Sequence, residues 1–286
     1  MKSFLIHLRL PYMFGVLSAP YLISAVFAEN LNWTEFWFQF IVIHTLLFGG
    51  ATAFNSYWDK DEGPIGGLKS PPKLAEWTRY VSLVIMFLGL VINYDKSMLF
   101  NGLYLFSLAL FWVYSSPIGR WKGHPWLSLL TIGLSTGTNS FLMGVLALGD
   151  FLQWWHFTTS IGVAFMLTAM YPVSQIFQID EDRLRGDYTF AVRYGIKGIQ
   201  SLYSSFSGIG ISLVDIGLFQ INLYLPVLFT IFSVIPIIIV STRLKKLKGS
   251  MDEYEGVMRL KYVMSFSFVI LSLCVILLKY LGYWIT

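Results

Sequence analysis

Two short stretches of the 286-residue chain carry residue types that could do chemistry. The first runs Asn55-Ser56-Tyr57-Trp58-Asp59-Lys60-Asp61-Glu62-Gly63 and the second Gln178-Ile179-Asp180-Glu181-Asp182-Arg183-Leu184-Arg185-Gly186-Asp187. Each sets an amide four residues before an aspartate, Asn55 before Asp59 and Gln178 before Asp182, and residues four apart share a helix face. Further acid, glycine and base follow in both. Facing carboxylates repel unless a cation joins them. Hard oxygen donors suit Mg²⁺, which takes one or two carboxylates, keeps some waters and completes its shell with substrate phosphates. Lys69, Lys73, Arg120, Lys122, Arg183, Arg185 and Arg193 lie in neighbouring segments, and such cations hold phosphate oxygens.

Composition says what kind of scaffold positions these stretches. The set AVILMFWYC makes up 56% of the chain, charged residues only 13%, and mean hydropathy is +0.64. Soluble domains carry about 25% charge, so an ordinary wetted surface is excluded. Disorder is excluded as well, because it needs low hydrophobicity and high charge. A polytopic membrane protein remains. The single cysteine, Cys274, allows no intrachain disulfide and no thiolate metal cage.

A spanning helix needs roughly 20 mostly apolar residues. Nine segments qualify, near 11–28, 36–57, 78–94, 98–116, 125–149, 154–177, 199–217, 219–241 and 262–284. The first is followed directly by further spans and carries no cleavage site of the usual form, so it reads as a span and not as a signal peptide. With the N-terminus inside, every Lys and Arg except Lys96 and Lys279 falls on the inner side, as the positive-inside rule requires. The expected class is therefore all-α: nine transmembrane helices in a bundle with a central cavity, one domain over 1–286.

Polar inner loops are by default only solvated connections. Here both long inner connections, about 58–77 and 178–198, start where an acidic stretch leaves a span. Their recurrence suggests two related four-helix halves, plus one helix, around one site. An apolar, aromatic-rich bundle stands above the acids, so the ligand that fits is amphiphilic, a diphosphate head on a long hydrocarbon tail.

On these residues the sequence resembles the UbiA-type family of intramembrane prenyltransferases along nearly its whole length. Asn55 and Asp59 match the family's Asn-Asp-x-x-Asp-x-x-x-Asp motif, with Ser56 at its second place, Gly63 at its last, and Asp61 and Glu62 near enough to substitute. Asp182, Gly186 and Thr189 match Asp-x-x-x-Asp-x-x-x-Gly-x-x-Thr, with Gln178 at its first place and Asp180 two residues on. The run Tyr114-Ser115-Ser116-Pro117-Ile118-Gly119-Arg120-Trp121-Lys122 is similar to the family's diphosphate-contacting loop after the fourth span.

The resemblance implies Mg²⁺-dependent transfer of an isoprenyl group from a polyprenyl diphosphate to a lipophilic, usually aromatic acceptor, in a bacterial inner membrane with the N-terminus and active-site loops cytoplasmic. It implies metal ligation by Asn55, Asp59, Asp61, Glu62, Asp180 and Asp182. Substrate contacts would come from Asn55, Lys69, Tyr114, Arg120, Lys122, Gln178, Arg183 and Arg185. Asp59 and Asp182 would be central to catalysis, and Asp187 would accept the acceptor's proton. Blander readings stand beside these. Asp187 could cap a helical turn, Arg183 and Arg185 could serve only charge topology, and Lys69 and Lys73 flank Pro71-Pro72 at the end of a lid. Lys245, Lys246 and Lys248 read as lipid-surface contacts. The four histidines have no ligand spacing, and the bases follow membrane topology, not nucleic acid. A membrane terpene cyclase, closing the prenyl cation on its own double bonds, is the alternative enzyme. A transporter would place ionisable groups within spans, whereas these acids collect at span ends.

Overall fold

In the computed structural model, which describes residues 1–282, the apolar runs fold into helices. Eight are long and apolar enough to cross a membrane: α1 (Lys2–Phe27), α2 (Trp33–Asp59), α4 (Met98–Ser115), α5 (Pro125–Ala147), α6 (Trp154–Arg185), α7 (Phe190–Leu218), α8 (Leu225–Leu244) and α9 (Met251–Tyr280). The expected third span, α3 (Thr78–Ile92), has only 15 residues. At 1.5 Å per residue it covers roughly 22 Å of a hydrocarbon core about 30 Å thick. No strand is present among the described residues beyond an isolated bridge between Ile65 and Leu68.

Several boundaries move relative to the sequence expectation. Helix α1 begins at Lys2, not near 11, α7 at Phe190, not 199, and α9 at Met251, not 262. Charged residues such as Arg9, Arg193 and Lys261 depress a hydropathy window, yet helix lies on both sides of each, unbroken at Lys261, kinked at Gly195 just after Arg193 and interrupted at Arg9 itself. The expected inner loop 178–198 is accordingly almost all helix. The expected end of the ninth span, at 284, lies outside the described residues.

Local breaks shape the end of the bundle that matters. Arg9 takes a left-handed backbone, φ 49°, and the helix restarts at Leu10 with Pro11 in its first turn, where a missing N–H costs nothing. Helix α2 ends on Lys60, also left-handed at φ 52°. Helix α6 tightens at Pro172 into a 3-10 stretch, Pro172–Gln178, before a last α turn, Ile179–Arg185. Elsewhere the helices pack closely. A Cβ at Gly162 of α6 would come 2.8 Å from the Gly210 carbonyl of α7, the small-residue approach on which membrane helix pairs rely.

The far end of the bundle is tied shut. Asp150 accepts hydrogen bonds from the backbone N–H groups of Glu29 and Asn30 and from the Asn30 amide. Lys279 donates to the carbonyls of Val26 and Ala28. Lys96 pairs with Glu35 at 3.2 Å, and Gln39 bonds Asn93. The two bases that the charge pattern sets apart, Lys96 and Lys279, thus lie at this end.

Candidate active site

The inner ends of α2 and α6 converge on a cavity of about 210 Å³. Asn55 and Asp59 line it from the last turns of α2, with Asp61 just beyond. Gln178, Asp182 and Arg185 line it from the end of α6, followed by Asp187. Gln178 closes the 3-10 stretch and Asp182 sits in the α turn after it. Both nonetheless face the same cavity. Tyr114 and Lys122 complete the wall from the end of α4 and the turn after it.

Cations and carboxylates pair across this space. The Lys122 ammonium is in direct contact with Asp59, and both side chains are buried. Burial pushes Lys122 below the usual lysine range, to about 8, and Arg185 acts the same way while Asp187 and Asp182 oppose. Contact with Asp59 also favours the charged form. Arg185 bridges Asp61 and Glu181, 2.8 Å from each. Arg120 grips Asp187 with two parallel bonds of 2.8 Å, the strong bidentate geometry. Gly123 makes this clamp possible, because a Cβ there would sit 2.6 Å from the Asp187 Oδ1. Asp182 is buried and, among the described residues, has no cation within salt-bridge distance; its Oδ2 accepts from the Thr189 hydroxyl at 3.1 Å.

Five residues expected at the site lie outside the cavity lining. Lys69 is exposed and pairs with Glu255. Asp180 and Arg183 pair with each other on the exposed face of the helical turn. Glu62 is exposed, and its backbone N–H reaches Glu181. Arg120 acts on the site through Asp187 and is not itself among the lining residues. With both oxygens held by Arg120, Asp187 is placed to anchor that arginine and must release it to take a proton.

The structure also brings in residues that sequence reasoning passed over. A Cβ at Gly63 would lie 2.9 Å from Glu181 Oε2, so Glu181 fills the space beside the place where the resembled motif expects an aspartate. Arg9, Tyr12 and Lys261 also line the cavity, from α1 and α9, and Arg9 reaches the end of α2 through a hydrogen bond to the Ser56 hydroxyl. Arg9 and Lys261 were counted only as topology markers. A charge inside an otherwise apolar run was the signal available for both.

Past the polar cavity the walls turn apolar. A second chamber, about 60 Å³, shares Val16, Leu167, Met170 and Ser265 with the first. It runs on between α1, α6, α8 and α9 to Ile23, Val163, Phe229 and Phe268. The last two rings meet with centroids 6.0 Å apart.

The chain matches the UbiA prenyltransferase family model over residues 16–255. No curated protein matches it. A UbiA homolog from Archaeoglobus fulgidus bound to GPP and Mg²⁺ superposes with a TM-score of 0.74 at 15% identity, covering 96% of this chain and 99% of that one. The same homolog bound to DMAPP and Mg²⁺ gives 0.71 at 15% identity, with 94% and 99% covered. Digeranylgeranylglyceryl phosphate synthase in membranes gives 0.56 at 18% identity, with 96% and 98% covered. At these identities the likeness to the solved structures is one of fold.

Proposed function

The chain belongs to the UbiA prenyltransferase family, and from that premise we propose that this multi-pass membrane protein transfers an isoprenyl group from a polyprenyl diphosphate to a lipophilic acceptor within the bilayer. One observation carries the reading: a charged cavity adjoins an apolar chamber, the two sharing Val16, Leu167, Met170 and Ser265 in their walls. That is the shape and polarity of an amphiphile with a diphosphate head and a hydrocarbon tail.

In this reading Lys122 and Arg185 hold the diphosphate, with Asp59 and Asp61 orienting them before substrate arrives. Among the described residues no three acidic or histidine side chains converge into a metal site. A full protein cage is not what Mg²⁺ needs, since one or two carboxylates plus phosphate and water suffice. Asp59 and Asp182 fit that role, Asp182 in particular because no basic side chain bonds it, with Asn55 and Gln178 in reach on the same wall. When bound, the metal supplies neutralisation of the charge that grows on the leaving diphosphate. Asp61 and Glu62 belong to the same acidic rim, and Asp180 faces outward in the present arrangement.

The allylic C–O bond breaks with its electron pair going to pyrophosphate. The allylic cation then bonds to the acceptor, which loses a proton. The half-buried rings of Tyr114 and Tyr171, whose hydroxyls are 2.5 Å apart, border the cavity. A cation over such a ring is stabilised by roughly 0.5–2 kcal/mol. Water would quench it, and the apolar chamber keeps water away from the tail. Asp187 is the acceptor's proton sink if Arg120 moves off it during turnover.

Purified protein given geranyl diphosphate, Mg²⁺ and an aromatic acceptor should release pyrophosphate, and the Asp59→Ala and Asp182→Ala variants should not. Retained release in either variant, with the protein folded, would remove the proposed site. Product mass with and without an aromatic acceptor separates transfer from cyclisation: a cyclic hydrocarbon or alcohol formed without acceptor overturns the transferase reading.

A further inference from the structure

Glu181 lies outside the cavity lining, yet its carboxylate touches both acidic helix ends. Its Oε1 accepts from Arg185 Nη2 at 2.8 Å, and that same nitrogen bonds Asp61 Oδ1 at 2.8 Å. Oε1 also accepts from the backbone N–H of Glu62 at 3.3 Å. The second oxygen, Oε2, is buried and has no hydrogen-bond partner. It lies 2.9 Å from the point where a Cβ on Gly63 would stand.

An ordinary ion pair four residues apart on a helix joins two side chains of one surface and contributes little. This pair reaches further. Arg185 is shared with Asp61, 124 residues away in the chain, and Glu181 carries on to Glu62 and Gly63. Gly63 has no side chain, and Glu181 puts its carboxylate into the volume that one would fill. A carboxylate on Gly63 and the one on Glu181 would exclude each other, since like charges that close repel. A buried oxygen left unbonded is costly, so this placement is a poor device for holding the fold together. What it does achieve is a fixed direction for Arg185. A guanidinium gripped from two helix ends has lost most of its rotamer freedom before any ligand arrives, and a ligand then binds without that cost. Only Nη2 is engaged among the described residues, so Nη1 and Nε stay free on a side chain that lines the cavity.

We propose that Glu181 is a positioning residue for the diphosphate head: from α6 it supplies a carboxylate to the volume that Gly63 leaves open, and with Asp61 it aims Arg185 into the cavity. The proposal rests on the prenyl-transfer reading for the use made of Arg185. Its decisive variant moves the carboxylate from one helix end to the other. Gly63 does not take a positive φ, so its backbone accepts a side chain, and Gly63→Asp combined with Glu181→Ala returns a carboxylate to the same space.

The experiment uses full-length protein in detergent: wild type, Glu181→Gln, Glu181→Ala, Gly63→Asp and the double variant Gly63→Asp/Glu181→Ala. Calorimetry gives the affinity for inorganic pyrophosphate with Mg²⁺. Turnover of geranyl diphosphate with an aromatic acceptor gives KM and kcat. Glu181→Ala should weaken pyrophosphate binding and raise KM by about tenfold, the loss of one charged hydrogen bond, with kcat within about threefold of wild type. Glu181→Gln, which keeps the shape and an acceptor oxygen, should lose less. Gly63→Asp alone should lose as much as Glu181→Ala, because two carboxylates then compete for one place. The double variant should recover both quantities to within about threefold of wild type. A merely structural Glu181 would lower the melting temperature of its variants and leave affinity and KM unchanged. That result, or a double variant whose loss is the product of the two single losses, overturns the proposal, as does a wild type that binds no pyrophosphate. Binding that follows the expected pattern without any turnover keeps the positioning role and removes the prenyl-transfer reading, so the two fail separately.

Discussion

Both ends of this bundle carry acids and bases, few at one and many at the other, and the two ends use them differently. At the far end Asp150 is filled by two backbone N–H groups and an amide, and Lys279 is spent on two backbone carbonyls. Those bonds close helix termini, whose backbone groups would otherwise be unsatisfied. At the other end the acids and bases face one another across a cavity of about 210 Å³, and Arg9 and Lys261 have no acidic partner among the described residues. Charge bonded to backbone stabilises a fold. Charge held by other side chains around open space is available to a ligand. The contrast lies in what each charged group bonds, not in how many there are.

The strongest way to break this comparison is to remove one carboxylate from each end. Asp182→Ala or Asp59→Ala should cut pyrophosphate release by about a hundredfold or more with the melting temperature little changed. Asp150→Ala should do the opposite, costing about 1–3 kcal/mol of stability through unsatisfied N–H groups while the initial rate at low temperature stays near wild type. Rates and melting curves measured side by side decide it; an active Asp182→Ala would erase the distinction.

Chelation gives the next largest effect. Excess EDTA should stop release by wild type, and added Mg²⁺ should restore it. Persistence of activity after exhaustive chelation would argue that the cations of this end work without a metal.

A smaller effect tests whether the clamp beside the cavity matters. Gly123→Ala puts a Cβ 2.6 Å from Asp187 Oδ1 and should loosen the Arg120 grip, slowing release by about tenfold. Arg120→Lys, which keeps the charge but loses the fork, should act in the same direction.

The smallest expected change lies where the cavity becomes apolar. Phe229→Leu should shift donor preference by a few-fold toward longer chains, as roughly one to two methylenes of space open at the end of the chamber. Competition between geranyl, farnesyl and geranylgeranyl diphosphate, read by product mass, measures it. An unchanged preference would mean the tail does not reach the Phe229–Phe268 pair.

Much of this was legible in the chain alone, for reasons that can be named. Asn55 and Asp59 were readable as a pair because spacing on a regular helix is a local property, and both face the cavity. Asp182 was readable as well, although the helix before it tightens at Pro172. The positions of Lys96 and Lys279 apart from the other bases followed from topology, and the structure ties both into the far end. What misled was proximity in sequence. Asp180 sits two residues from Gln178 and Asp182 yet points away, because helix faces turn by about 100° per residue, and Glu62 lies exposed in the segment past the left-handed end of α2 at Lys60.

The sequence by itself determined an all-helical membrane bundle, its kinship, and two acid-rich helix ends that the structure brings to one cavity, since hydropathy, charge bias and four-residue spacing act over short lengths of chain. Only the tertiary structure decided which carboxylate meets which cation. Lys122 on Asp59, Arg185 on Asp61, Glu181 beside Gly63, and Arg9 lining the cavity with Lys261 all join segments far apart in the chain. Such pairings depend on how helices lean, break and tighten against one another at Arg9 and Pro172, and no local pattern of residues encodes that.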